Sequence, residues 1–270
     1  MKNIKLNNGV EIPAFGLGFW QMENNQVDDA LKAAIDIGYR HIDTASAYKN
    51  EQDIGDTLEK CGVPREEFFI TTKVWTNAIR ADKIMESLDE SLAKLKTDYV
   101  DLFLLHWPVR DKLVDAWKGM EEVYASGKAR AIGVSNYLIK NFEDFLSTAK
   151  VIPAVNQIEF HPYFQDNELI KYCAEKGIEI EAWAPIAKGR VVNDPVINQI
   201  AAQVNKNAVQ VVLRWEVQKN IIVFPKSKNT ARLAENIDIF DFELNDVQMK
   251  KMDDLNEMKR LGEDPATFPY

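Results

Sequence analysis

Eight short apolar or β-branched runs alternate with segments of helical period along this chain, and this alternation narrows the possible folds more than any other feature. The runs fall at residues 15–18, 41–43, 69–74, 100–106, 131–135, 155–159, 178–183 and 221–224. Between them, apolar residues recur at helical spacing over 27–37, where Gly38 supplies a stop, and over 51–61, 81–95, 113–126, 138–149, 167–175 and the pair 196–204 and 209–217. Consecutive strands joined through a helix run parallel, because the crossover returns the chain to the same end of the sheet. Eight such units in strict order favour a closed parallel sheet, an α/β fold of the (β/α)8 or TIM-barrel type. Ahead of the first unit, Asn7-Asn8-Gly9 is a turn sequence suited to positive φ and predicts an N-terminal β-hairpin over 4–12. After the last, two extra C-terminal helices are predicted over 232–237 and 246–256, followed by an irregular tail from Gly262. The 270 residues match the usual size of one barrel and no linker divides them, so a single domain over 1–270 is expected.

Charge narrows the partners. Nucleic acid and anionic membrane surfaces both reward clustered Lys and Arg, and a net charge of −9 argues against either; a phosphate ligand must be met by a local basic cluster. No run approaches the roughly 18 apolar residues of a membrane helix, and Met1-Lys2-Asn3-Ile4-Lys5 leads into polar residues, so a cytoplasmic location is expected. Cys61 and Cys173 lie far apart, in segments of helical pattern and without CxxC or metal-type spacing, and read as buried or incidental thiols of a reducing compartment. No metal site is expected, and the chain is expected to be a monomer.

The ionisable residues gather at strand ends. Asp43 closes the second run, Lys73 lies near the end of the third, His106 ends the fourth, and Tyr48 follows Asp43 by five residues. In a barrel these ends meet at one mouth, where the chemistry is kept. A phenol has an ordinary pKa of about 10, and a nearby ammonium favours the phenolate, so Lys73 is the residue that would tune Tyr48. Asp43 supplies the counter-charge that keeps Lys73 protonated. Tyr48 can then act as a general acid while His106 orients or polarises a carbonyl oxygen, which prepares the carbonyl carbon to accept hydride. Trp20, Trp75 and Trp107 follow strand ends and are expected to line a substrate pocket, whereas Trp117 and Trp215 have helical surroundings and belong to the core. His41 and His161 read as structural histidines.

Six ordered motifs carry a resemblance: GYRHIDTASAYKNE at 38–51, TTKVW at 71–75, DLFLLHWP at 101–108, IGVSNY at 132–137, NQIEFHP at 156–162 and PKSKNTARLAEN at 225–236. Together they resemble the aldo-keto reductase family, in particular bacterial members similar to 2,5-diketo-gluconate reductases and glyoxal or methylglyoxal reductases. The resemblance implies that Tyr48 is the proton donor, that Lys73 and Asp43 tune it, and that His106 orients the substrate. It also implies NADPH as cofactor, extended across the barrel mouth and giving hydride from the pro-R face. Gly16-Leu17-Gly18 lacks the third glycine of a Rossmann phosphate loop, so other groups must hold the dinucleotide. By resemblance, Ser135, Asn136 and Gln157 take the nicotinamide carboxamide, and Trp183 stacks on its ring where many relatives have tyrosine. Pro185 and Ile186 join the cofactor wall. Ala184 stands where serine is frequent, which removes one hydroxyl contact. Lys226, Ser227 and Arg232 cluster at the start of a short helix after the eighth strand, where barrels commonly bind phosphate, and by resemblance form the 2′-phosphate site. Arg232 would also pack on adenine, with Glu235 and Asn236 reaching its amine.

The implied activity is reduction of aldehydes and ketones to alcohols, with small aldehydes, dicarbonyls and keto-sugars as the leading substrates for an apolar, open site. A Schiff-base aldolase would need Lys73 neutral, which Asp43 opposes. A metal-dependent hydrolase would usually show a His-x-His pair, which is absent. A non-catalytic NADPH-binding regulatory subunit on the same fold is the alternative from another class. The tail residues Phe268, Pro269 and Tyr270 are expected to fold back and wall the substrate site.

Overall fold

Parallel strands form where the alternation places them. The computed structural model describes residues 2–23 and 25–269. The predicted hairpin is antiparallel β1 (Asn3–Lys5) and β2 (Glu11–Pro13). Eight strands follow: β3 (Leu17–Gly18), β4 (His41–Asp43), β5 (Phe69–Val74), β6 (Val100–Leu105), β7 (Ala129–Ser135), β8 (Val155–Glu159), β9 (Glu179–Trp183) and β10 (Ile222–Val223). They form one parallel sheet in sequence order. The sheet curls on itself: Phe15 bridges Val223 in parallel, Gly16 N–H donates to the Val223 carbonyl at 2.8 Å, and Val223 N–H donates to that of Ala14 at 3.0 Å. These contacts join the first strand to the last and give a (β/α)8 barrel.

β5 and β6 are buried at every position, because one face meets the barrel interior and the other is covered by helices. That is why they read as continuous runs without alternation. The helices are α1 (Asn25–Ile37), α2 (Glu51–Lys60), α3 (Thr76–Arg80), α4 (Ile84–Leu95), α5 (Leu113–Ala125), α6 (Ile139–Phe145), α7 (Asn167–Glu175), α8 (Pro195–Val204), α9 (Ala208–Gln218), α10 (Thr230–Ile237) and α11 (Asp246–Asp253). α1 is representative: Val27, Ala30, Leu31, Ala34 and Ile35 repeat every three to four residues and form its buried stripe.

The helix expected over 81–95 starts only at Ile84, as α4, because Asp82 adopts a left-handed φ of 55°; the short α3 over Thr76–Arg80 that precedes it was not expected. Apolar spacing does not register one such residue. α6 stops short of the expected 149, where Thr148 turns both its N–H and its hydroxyl onto the Phe145 carbonyl. Gly16 is required by close approach, because a Cβ there would lie 2.7 Å from the His41 ring inside the barrel. Among the described residues, no helix is long and apolar enough to cross a membrane.

Candidate active site

Asp43, Tyr48, Lys73 and His106 meet at the carboxyl ends of β4, β5 and β6. Asp43 is the last residue of β4, Tyr48 closes the single turn Ser46–Tyr48 that follows it, Lys73 is the penultimate residue of β5, and His106 directly follows β6. The Lys73 ammonium is fully buried and lies 2.7 Å from Asp43 Oδ1. It also donates to the Thr44 carbonyl at 2.8 Å and sits 5.0 Å from the centre of the Tyr48 ring. The His106 ring stands edge-on to Tyr48, centroids 5.5 Å apart, and to Trp75 at 5.0 Å.

Burial decides the protonation states. Desolvation works against the Lys73 charge, but the Asp43 carboxylate bonded to it holds its pKa above the ordinary lysine value. Burial pushes the Asp43 carboxyl up, against the pull of Lys73. For Tyr48, burial raises the phenol above its usual value even though Lys73 lowers it, so the ammonium that would favour phenolate is in place but is outweighed. The phenol therefore keeps its proton at neutral pH, as a general acid must. Burial, reinforced by Lys73, holds His106 well below the ordinary histidine value, so its imidazole is neutral.

These groups open on a cavity of about 990 Å³, at the upper end of small-molecule sites. Trp20, Trp75 and Trp107 all line it, as do Ser135, Asn136, Gln157, Trp183, Pro185, Ile186, Lys226 and Arg232. Ser227, Glu235 and Asn236 stand outside this wall; the Ser227 hydroxyl accepts from Asn229 N–H, and Asn236 is buried. The start of α10 is less open to a phosphate than its sequence suggests, because Asn229 already accepts from the Arg232 N–H at 3.0 Å. The two cations therefore carry that end of the cavity, and Lys226 also donates to the Gln21 carbonyl at 3.0 Å. The Asn136 amide is spoken for as well: its Nδ2 donates to the His106 carbonyl and Ser135 Oγ, and its Oδ1 accepts from Trp183 Nε1 at 2.8 Å. A nicotinamide could take Asn136 only by competing with those bonds. The donor set otherwise suits a dinucleotide, with cations at one part of the wall, an aromatic face at Trp183, and a carboxamide at Gln157.

Sequence reasoning missed the carboxyl beneath Gln157 and most of the tail's contacts. Glu181, in the middle of β9, is fully buried and accepts from Gln157 Nε2 at 2.9 Å; a lone glutamate inside a strand carries no local signal of this. Glu159 receives the N–H of Leu261 at 2.5 Å and that of Gly262 at 3.3 Å, which lays the tail across the mouth. Gly262 packs on the Trp183 indole so closely that a Cβ would sit 2.3 Å from it. Phe268 lines the cavity, Pro269 is exposed, and Tyr270 lies outside the described residues. His41 and His161 are buried, the latter 3.0 Å from Glu159, while Trp117 and Trp215 are core residues. Cys61 and Cys173 are unpaired thiols, and no cluster able to hold a metal occurs among the described residues.

Comparison with known proteins places this geometry in context. Residues 13–257 match the Aldo/keto reductase family. The chain is 46% identical over 263 residues to glyoxal reductase of Bacillus subtilis (strain 168), spanning 97% of this chain and 95% of that one. It is 42% identical over 269 residues to methylglyoxal reductase DkgA of Escherichia coli (strain K12), with coverage of 98% and 97%. Among solved structures, MGS-M4, an aldo-keto reductase enzyme from a Medee basin deep-sea metagenome library, superposes with a TM-score of 0.96 at 36% identity, covering 99% of this chain and 100% of that one.

Proposed function

The chain belongs to the aldo/keto reductase family, and on that premise we propose that it catalyses NADPH-dependent reduction of aldehydes and ketones to alcohols, with Tyr48 as the proton donor. The observation that carries this reading is the fully buried Lys73 ammonium, tied to Asp43 at 2.7 Å and facing the Tyr48 ring at the floor of the cavity. NADPH, when bound, supplies the hydride. Tyr48 holds the proton that the carbonyl oxygen needs as charge develops on it. Lys73 stabilises the phenolate left behind, and Asp43 keeps Lys73 charged. Neutral His106 has one N–H to offer the same oxygen and orients it. Gln157 and Trp183 position the nicotinamide, and Lys226 and Arg232 take the 2′-phosphate.

Small aldehydes, dicarbonyls and keto-sugars fit the aromatic slot of Trp20, Trp75 and Trp107. The names of the relatives, glyoxal reductase and methylglyoxal reductase, support the dicarbonyls among these. The test is a carbonyl panel run with the purified protein and NADPH, following loss of the reduced-nicotinamide absorbance. Consumption with glyoxal or methylglyoxal is expected. Binding of NADPH with no turnover on any carbonyl would replace this reading with a non-catalytic regulatory subunit.

A further inference from the structure

Gln157 Nε2 donates two hydrogen bonds to two buried carboxyl groups, to Asp43 Oδ2 at 2.8 Å and to Glu181 Oε2 at 2.9 Å. Gln157 and Glu181 are register partners on β8 and β9, so their side chains project to the same side of the sheet, whereas Asp43 reaches Gln157 from β4. We infer that Glu181 is a positioning residue which, with Asp43, consumes both N–H donors of the Gln157 amide and leaves only its carbonyl oxygen for a ligand in the cavity. A flipped amide would put that oxygen 2.8 Å from the Asp43 carboxylate, whose other oxygen is paired with Lys73, and two acceptors cannot share that distance. Gln157 therefore selects for an N–H donor. On the proposed function, that donor is the carboxamide N–H of the nicotinamide.

Glu181 performs this role with its carboxyl uncharged. From β4 it faces Asp43 and His41, from β5 Lys73, and from β8 Gln157; β10 sets Ile222 beside it and brings no charge. A single cation already bonded to Asp43 cannot balance a second carboxylate in a water-free interior. His41 Nδ1 lies 3.2 Å from the Pro13 carbonyl, which can only accept, so the Nδ1 atom bears the proton and Nε2 carries none, with the Thr71 hydroxyl 3.5 Å from it. Glu181 Oε1 lies 3.7 Å from that nitrogen and has no hydrogen-bond partner. A hydroxyl at Oε1 suits this surrounding, and an anionic oxygen does not. Burial and Asp43 together raise the Glu181 carboxyl to about 8, in the same direction.

The test compares the wild type with Glu181→Gln and Glu181→Leu. Affinity is measured by titration calorimetry for NADPH and for its reduced acetylpyridine analogue, which keeps the ring carbonyl substituent but lacks the amide N–H. The wild type is expected to prefer NADPH by about 3- to 10-fold, the span of one net hydrogen bond. Glu181→Gln, which places an acceptor and a donor where the neutral acid has its carbonyl and hydroxyl, is expected to keep that preference. Glu181→Leu removes one of the two acceptors that hold the Gln157 amide and leaves Asp43 Oδ2 alone to orient it, so the ratio is expected to fall below the wild-type value without reaching one. A second readout needs no cofactor: hydrogen exchange of the Gln157 side-chain amide in protein carrying isotopically labelled glutamine, assigned by its loss in Gln157→Glu. Protection is expected in the wild type and in Glu181→Gln, and faster exchange in Glu181→Leu. A wild-type ratio in Glu181→Leu, or a ratio near one in Glu181→Gln, overturns the role of Glu181. If Glu181→Leu does not fold, the wild type and Glu181→Gln decide, since an unprotected Gln157 amide in either overturns it. A wild type that protects the amide but does not bind NADPH overturns the proposed cofactor and leaves the orientation of Gln157 standing.

Discussion

The Phe268 ring lies stacked on Trp107, with centroids 4.0 Å apart and planes 13° from parallel. The contact joins the tail to the strand-end residue that follows His106, and it is reinforced where the Arg110 guanidinium donates to the Ala266 carbonyl. The tail is thus a wall of the same cavity that Tyr48 and His106 open onto.

Deleting the chain after Gly262 should therefore change KM and the ranking of carbonyl substrates, with bulky aldehydes gaining relative to small ones, while NADPH affinity stays as it is. The Leu261 and Gly262 bonds to Glu159, Lys226 and Arg232 all lie upstream of the cut. Steady-state kinetics over a panel of small and bulky aldehydes checks this, and identical KM values would remove the tail from substrate choice.

Tyr48→Phe should bind NADPH normally and lose carbonyl reduction by about 10² to 10⁴-fold, the usual contribution of a positioned general acid. Because burial raises the Tyr48 phenol above its ordinary value, the wild-type reduction rate should hold steady across neutral pH and fall only on the alkaline side, as the proton is lost. A Tyr48→Phe enzyme with near-normal kcat at saturating aldehyde would remove Tyr48 from the role.

Replacing both Lys226 and Arg232 with Ala should weaken NADPH selectively. Each charge-assisted bond to a phosphate is worth about 1.5–3 kcal/mol, so the pair costs several kcal/mol at most, and NADH should hardly change. Calorimetric titration with both cofactors distinguishes this from a general defect, in which the two lose affinity equally.

Glu181→Gln should reshape the dependence of stability on pH. Glu181 stands at about 8 in the folded chain against an ordinary 4.5, so its contribution is fully present below about pH 4.5 and is lost as the pH rises through about 8. Its removal should make the variant progressively more stable than the wild type across that window, by up to about 1.4 kcal/mol per pH unit. His41, lowered by burial to about 3 from 6.5, acts oppositely: its contribution is present above about pH 6.5 and is lost as the pH falls. It remains in both proteins and cancels in the difference. Urea unfolding at several pH values measures that difference, and one that does not vary with pH would show that Glu181 is ionised in the folded chain.

The barrel and its four mouth residues were legible from the order of residues because both are local properties. A strand's period, a helix's stripe and the position of Asp43, Lys73 or His106 at a run's end are set by neighbours in the chain, and alternation then leaves few topologies. Boundaries were less legible where a single residue such as Asp82 leaves the helical region without disturbing the apolar spacing. What the tertiary structure alone decided are contacts between distant segments. Asp43 and Gln157 are 114 positions apart and meet only because the sheet closes on itself. The packing of Gly262 on Trp183 and of Phe268 on Trp107 depends on where the tail is anchored by Glu159. The protonation of Tyr48 belongs to the same class: the sequence supplies the ammonium that favours phenolate, but the exclusion of water by the assembled barrel outweighs it, and solvent exclusion is a property of the whole fold.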